Sequence, residues 1–323
     1  MTPLKTYSHL QPLKRKPTEY DIVTSKLLYY VGRDFEVNVP ITDWYRRYQS
    51  GSGFVCSDWE LFRDPRETTY TKYTELQKRK EIYVDGLLDS IDETGYDEKL
   101  PEAWVRTLSH LLGPVRYPVH GLQMAAAYVG QMAPSGRITI AALCQTADEV
   151  RRVQRLAYRM RQLQRLVPAF GSDSKALWQD DGHWQPLREG IEKLLVTYDW
   201  GEAFVALNLV LKPFFDELFL IWLGRVAEGA GDPLLACILG SLNEDATWHR
   251  DWSRSLVRTA VADRAENAGV LLTWQEGWHP IASRAVSALA PLFEGNPDVR
   301  CAGVPAQIEA SYRAFWSSLG VSI

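Results

Sequence analysis

Residues 138–167 read ITIAALCQTADEVRRVQRLAYRMRQLQRLV. Val153, Leu156, Met160, Leu163 and Val167 recur at three- and four-residue steps, the stripe of an amphipathic helix. Arg151, Arg155 and Arg159 stack at four-residue steps on another face. Helical patterns also cover 101–112, 119–133, 186–198, 202–228, 233–263, 270–293 and 305–319, joined by turns of Gly, Pro, Asp and Ser, and no alternating strand of useful length interrupts them. Long helices with sticky faces predict an all-α antiparallel bundle. In 119–133 the small residues Gly121, Ala125, Ala126, Ala127 and Gly130 let neighbouring helices approach closely, which suits a central helix.

The N-terminal 64 residues differ. Pro3, Pro12, Pro17 and Pro40 break periodicity, and aromatics crowd in as Tyr7, Tyr20, Tyr29, Tyr30, Trp44, Tyr45, Tyr48, Phe54 and Trp59. The expected organisation is an extended aromatic-rich arm over 1–64, whose rings bury against the chain's own helices or against a partner, and one helical domain over 65–323. Asp64-Pro65-Arg66-Glu67 supplies a cap, a proline and a glutamate in the order that starts a helix, so the first helix is expected there.

The 323 residues carry 36 Lys+Arg against 40 Asp+Glu, a net charge of -4. That mild acidity argues against a general binder of nucleic acid or membrane surfaces, which need a concentrated positive field. Tyr117 to Gly136 and Ala203 to Gly224 come nearest to membrane spans, but the first is too polar and Lys212, Asp216 and Glu217 interrupt the second. Cys56, Cys144, Cys237 and Cys301 are far apart, with no CxxC pair. The first ten residues hold no apolar run of the signal-peptide kind, so a cytoplasmic protein is expected.

Carboxylates and six histidines on long helices invite a di-iron site built from Glu-x-x-His turns. Only Asp180 and Glu276 stand three residues before a histidine. Asp180 to His183 runs through a turn signal, and Pro280 is expected to push His279 out of the helical conformation. No Asp or Glu occurs from Ala103 to Ala147, most of two consecutive helices. GxGxxG, GxxxxGK[ST], GxSxG and HExxH are absent as well. The six arginines of Arg151 to Arg165 are expected to form a solvated or partner-facing stripe, or to meet the acidic face of another helix.

Several strings together resemble the β subunits of bacterial multicomponent di-iron monooxygenases of the toluene monooxygenase type. They are Thr6-Tyr-Ser-His-Leu10, Pro17-Thr-Glu-Tyr-Asp-Ile-Val23, Trp44-Tyr45, Gln145-Thr-Ala-Asp148, Ala157-Tyr-Arg159, Tyr198-Asp-Trp-Gly-Glu-Ala-Phe204, Leu207-Asn-Leu-Val210, Lys212-Pro213, Trp252-Ser253 and Leu256-Val257, in order from 6 to about 257. The resemblance implies a ferritin-like (ribonucleotide reductase-like) helical bundle that has lost its metal. Asp148-Glu-Val-Arg-Arg152 is similar to the catalytic subunit's Asp-Glu-x-Arg-His with Arg152 in place of histidine, and Asp245-Ala-Thr-Trp-His249 is similar to a second such motif with Ala246 in place of glutamate. Glu149, Arg152, Ala246 and His249 are thus vestigial ligand positions, with no catalytic or cofactor-binding residue implied. If Glu149 faces inward, Arg152 is expected to replace iron as its compensating charge.

By the same resemblance the chain is a structural subunit of a hydroxylase with α, β and γ chains, two of each. The di-iron centre lies in α, which hydroxylates aromatics or epoxidises alkenes with O2, and a Rieske ferredoxin, a reductase and a small effector protein complete the system. The β chain braces α, helps form the dimer contact and lays its arm across a partner. Twelve Trp and 15 Tyr are in keeping with a surface built for partners. A self-sufficient ferritin-like di-iron protein with unconventional ligands and an unrelated helical scaffold are the competing readings.

Overall fold

The computed structural model describes residues 10, 13–27, 40–92, 94–293 and 303–321. Among these residues thirteen α-helical segments follow one another: α1 Glu19–Thr24, α2 Pro40–Tyr45, α3 Tyr70–Asp92, α4 Glu102–Met132, α5 Gly136–Leu166, α6 Ser174–Asp180, α7 Gln185–Leu195, α8 Trp200–Phe204, α9 Lys212–Asp216, α10 Leu223–Gly229, α11 Pro233–Asp263, α12 Asn267–Leu289 and α13 Val304–Leu319. Two π-helical stretches, Val205–Leu211 and Glu217–Trp222, splice α8, α9 and α10 end to end into one rod. Among the described residues there is no strand, and no helix is long and apolar enough to cross a membrane.

Four of these rods enclose the core. α4 and α5 are consecutive antiparallel helices joined by the short turn after Met132. A Cβ placed on Gly130 would come within 3.2 Å of the Ala142 Cβ, so glycine permits that close approach. Gly121 does the same against α7, where a Cβ would fall 2.4 Å from Ile191 Cγ2. α8 packs against α4, and α11 packs against α5 and returns along α10 after Gly231, whose φ of +78 makes the reversal. α12 and α13 close the outside of the rod.

α4 continues through the gap expected between 112 and 119. Pro114 and Pro118 lie inside it and each withholds a backbone donor, yet both are buried between neighbours that pack on either side. α12 likewise contains Pro280, so Glu276 and His279 do share a helix, contrary to the sequence expectation. Glu276 is exposed, however, and His279 Nε2 lies 2.9 Å from Glu309 Oε2 instead.

The first long helix starts at Tyr70 rather than at Asp64. Glu67 adopts a φ of +49, which interrupts any helix there, and Asp64 caps a turn by accepting from the backbone N–H of Arg66 and Thr68 at 3.0 and 2.8 Å. The Asp64 carboxylate also accepts from Trp248 Nε1 at 2.9 Å, which ties this turn to α11.

Within 1–64, Tyr7, Tyr29 and Tyr30 fall outside the described residues. The rest of the aromatic group lies on the chain's own helices. Trp44 Nε1 donates to the Tyr128 hydroxyl at 3.2 Å, Phe54 stacks on Phe204, and Trp59 meets Trp200 edge-on. None of the twelve Trp is exposed, and eight are buried, so the tryptophan count serves the core rather than a partner surface.

Candidate functional site

Where α5, α9, α11 and α3 meet, the core is ionic. Four buried carboxylates, Asp148, Glu149, Asp216 and Asp245, share the space with four buried cations, Lys80, Arg151, Arg152 and Lys212, and with His249. Each is delivered by helical spacing. Asp148, Glu149, Arg151 and Arg152 occupy one turn of α5, Lys212 and Asp216 lie one turn apart on α9, and Asp245 and His249 lie one turn apart on α11. The flanking π stretches change the winding on both sides of Lys212 and Asp216, and both residues face inward.

Lys212 Nζ donates to Glu149 Oε1 and lies 3.0 Å from Asp216 Oδ2. Arg152 Nη1 donates to Asp216 Oδ1 at 2.7 Å and stands 3.8 Å from Glu149 Oε2. Burial pulls the Asp216 carboxyl upward, but Lys212 and Arg152 outweigh it and hold the group below the usual carboxylate range. The expectation for Glu149 is met in part: it faces inward with Arg152 at ion-pair distance, but its hydrogen-bonded counter-ion is Lys212, and Arg152 donates to Asp216. The signal was present in the sequence, since Lys212 and Asp216 interrupt an apolar run at a four-residue step.

One layer outward, Asp148 Oδ1 accepts from the Tyr73 hydroxyl and Gln77 Nε2, both at 2.7 Å, and Asp148 Oδ2 lies 2.9 Å from His249 Nε2. Asp245 accepts from Lys80 Nζ at 2.5 Å and Arg151 Nη1 at 2.8 Å. Burial and then the neighbouring Asp245 charge push the Asp148 carboxyl well above its ordinary value. Burial, followed by the positive charges of Lys212 and Arg250, pushes His249 well below its own, so the imidazole is neutral. Further along α5 the helix is also polar inside: Gln145, Asn208 and Ser253 form a hydrogen-bonded set, and Arg159 meets Asp97 at 2.7 Å.

The arginine stripe is divided: Arg161 and Arg165 are exposed, while Arg151, Arg152, Arg155 and Arg159 meet carboxylates of other segments. Arg151 Nε donates to Glu81 Oε1 at 2.6 Å and Arg155 Nη1 to Asp85 Oδ1 at 2.6 Å, so α3 lies its acidic edge on α5. Of the six histidines, only His249 reaches the ionic core among the described residues; His110, His120 and His183 are exposed. Cys56, Cys144 and Cys237 are free thiols, and burial pushes Cys144 up to about 12, so it stays protonated.

Glu149, Arg152 and His249 are brought together, with His249 Nδ1 3.8 Å from Glu149 Oε1, while Ala246 is buried on α11 and offers only a methyl group. This donor set does not fit a di-iron centre. Two divalent ions would add four positive charges to a cluster whose four carboxylates already face four cations, and an ammonium already occupies the Glu149 oxygen that would have to bind metal. Among the described residues no group of three or more His, Cys, Asp or Glu is arranged to hold a metal ion.

Comparison with known proteins agrees with this architecture. The family model for methane/phenol/alkene hydroxylases matches residues 42–264. The beta subunit of the hydroxylase component of the toluene-4-monooxygenase system of Ectopseudomonas mendocina is 38% identical over 301 residues, 91% of this chain and 92% of the relative. The hydroxylase small subunit of propane 2-monooxygenase from Gordonia sp. (strain TY-5) is 26% identical, over 91% of this chain and 82% of its own. A chain in the structure of toluene bound in the resting active site of toluene 4-monooxygenase superposes with a TM-score of 0.86 at 37% identity, covering 91% of this chain and 98% of that one. The family model over most of the chain and the overlap with these hydroxylase components place the protein: the chain belongs to the methane/phenol/alkene hydroxylase family.

Proposed function

We propose that the chain is the structural, non-catalytic β subunit of a multicomponent monooxygenase hydroxylase. The observation that carries this reading is the neutral ionic core: a bundle of the hydroxylase family in which Lys212 and Arg152 supply the positive charge that a metal would supply elsewhere. Near-complete overlap with the toluene relative's beta subunit supports it. On this reading a larger α chain holds the di-iron centre, activates O2 and selects the aromatic or alkene substrate. Two copies each of α, β and γ form the hydroxylase in the cytoplasm, and an effector protein, a Rieske ferredoxin and a reductase complete the system. Residues 1–64 contribute an arm to that assembly and 65–323 its helical domain.

What this chain's residues do is mechanical. They fix four helices by buried ion pairs whose geometry is directional, which gives α a rigid body to lean on. Iron analysis of the chain purified alone tests the assignment. The expected result is no stoichiometric iron and no oxygen-dependent turnover, whereas stoichiometric iron with turnover would overturn it in favour of a self-sufficient di-iron protein.

A further inference from the structure

Several polar atoms of the ionic core have no partner among its side chains. Lys212 Nζ donates to Glu149 Oε1, but Glu149 Oε2, equally buried, accepts no hydrogen bond, and Arg152 Nη1 stands 3.8 Å from it. Arg152 donates from Nη1 to Asp216 Oδ1, which leaves its Nε and Nη2 buried without an acceptor. The Phe215 ring, 4.7 Å from the guanidinium carbon, covers one face of the group. His249 Nδ1 is likewise buried and unpaired, 3.8 Å from Glu149 Oε1. Buried polar groups of folded proteins are almost always satisfied, by other protein groups or by ordered water.

A separation of 3.8 Å is too long for a hydrogen bond, and a bent bridge of two hydrogen bonds of about 2.8 Å each spans it. The three side chains say what makes the bridge. Glu149 Oε2 needs a donor, and Arg152 needs an acceptor. Burial and the surrounding cations keep His249 neutral, so its Nδ1 donates or accepts according to whether Nε2 accepts from or donates to Asp148 Oδ2, 2.9 Å away. A cation would satisfy Glu149 but stand against Lys212, already on the same carboxylate, and against Arg152. An anion such as chloride would satisfy Arg152 but meet the Glu149 charge. Water donates twice, accepts twice and carries no net charge, so of the three it alone serves every group.

We infer that the ionic core is a water-binding site: an ordered water molecule sits where Glu149, Arg152 and His249 meet, accepts from Arg152, donates to Glu149 Oε2 and hydrogen-bonds His249 Nδ1. Ala246, three residues before His249 on α11, brings only a methyl group and supplies no polar atom that could do this instead. The water adds a link between α5 and α11 beside the Asp148–His249 and Arg151–Asp245 contacts. The inference rests on the geometry of the core and not on the subunit reading above.

The test is X-ray diffraction from crystals of the full chain, in whichever assembly it is purified, at a resolution that shows ordered water. One set of crystals is grown with bromide in place of chloride and rubidium in place of sodium, so that either ion reveals itself by anomalous scattering. The expected result is an electron-density peak of water within hydrogen-bonding distance of Glu149 Oε2 and of Arg152 or His249 Nδ1, with no anomalous signal there. A second set uses E149M/K212M, which removes the acceptor together with its ammonium and so strands neither charge of the pair. The peak should be lost in that variant, while the Arg152–Asp216 contact remains. An anomalous peak at the site would assign it to an ion and overturn the proposal. So would a site without density, an Arg152 that closes directly on Glu149 Oε2, or a water that keeps its place in E149M/K212M. Should the double variant fail to fold, the parent crystals decide alone.

Discussion

Lys212 decides the character of the core because it sits between Asp216, which Arg152 also holds, and Glu149, whose hydrogen-bonded cation it is. Glu149 Oε2 accepts no hydrogen bond from a side chain, and Arg152 Nη1 stands 3.8 Å from it. Replacing Lys212 by Met leaves Glu149 as a buried charge without a hydrogen-bonded cation, and removing one member of a buried pair costs about 3–5 kcal/mol. Urea unfolding of K212M should show a loss of that size. K212M/E149Q, which removes both charges, should recover a measurable part of it, because the two sites share one interaction. A K212M chain as stable as its parent would show that the pair does not matter.

His249 gives the same core a pH signature. Its folded pKa is depressed, so the unfolded chain takes up a proton first as pH falls below the ordinary value of 6.5. The contribution of a neutral His249 to stability is complete above that value and drains away below it, at about 1.4 kcal/mol per pH unit until the folded imidazole titrates. Asp148 works in the other direction, since a raised carboxyl contributes most below its unfolded value of 3.8 and loses that contribution as pH rises through the folded one. Comparing parent and H249Q between pH 7 and 5 isolates the histidine: the parent should lose stability more steeply, by about one proton's worth of slope. Equal slopes would mean that His249 titrates normally.

At the level of helices, much was readable and the failures share a cause. The stripe of Val153, Leu156, Met160 and Leu163 fixes α5, and Asp232-Pro233 with the periodicity that follows fixes α11 from Pro233 to Asp263. Periodicity describes one helix at a time. It shows that Arg151, Arg155 and Arg159 share a face but not which helix lies against that face, and the answer, α3 with Glu81 and Asp85 at a four-residue step, is a fact about pairing. The same limit applies to Arg152 and Glu149, whose sequence proximity suggested a partnership that Lys212 and Asp216, more than sixty residues away, divide between them. The proline errors have another source. Pro114, Pro118 and Pro280 weaken a helix by about 3 kcal/mol each in isolation; burial of Pro114 and Pro118 offsets that cost in α4, and in α12 the buried neighbours Trp278, Ile281 and Ala282 hold the helix across the exposed Pro280. Asp64 was misplaced because a side chain that caps a turn and one that caps a helix have the same local pattern until the backbone at Glu67 is known.

For the whole molecule, the chain is well filled inside and unfinished outside. Its tryptophans are consumed by the core, and its buried charges are matched, so neither supplies a reason for partners. The reason comes instead from the proposed place of the chain in a hydroxylase, which its near-complete overlap with a hydroxylase beta subunit supports. A partner that binds the folded chain and not the unfolded one raises apparent stability by mass action, by about 2.7 kcal/mol when the partner is present at one hundred times its dissociation constant. For a chain of this size that corresponds to a rise in melting temperature of about 4 °C. Titrating the larger hydroxylase chain into this one should therefore raise its melting temperature progressively and not as a single step. A melting temperature indifferent to the larger chain would count against the subunit reading.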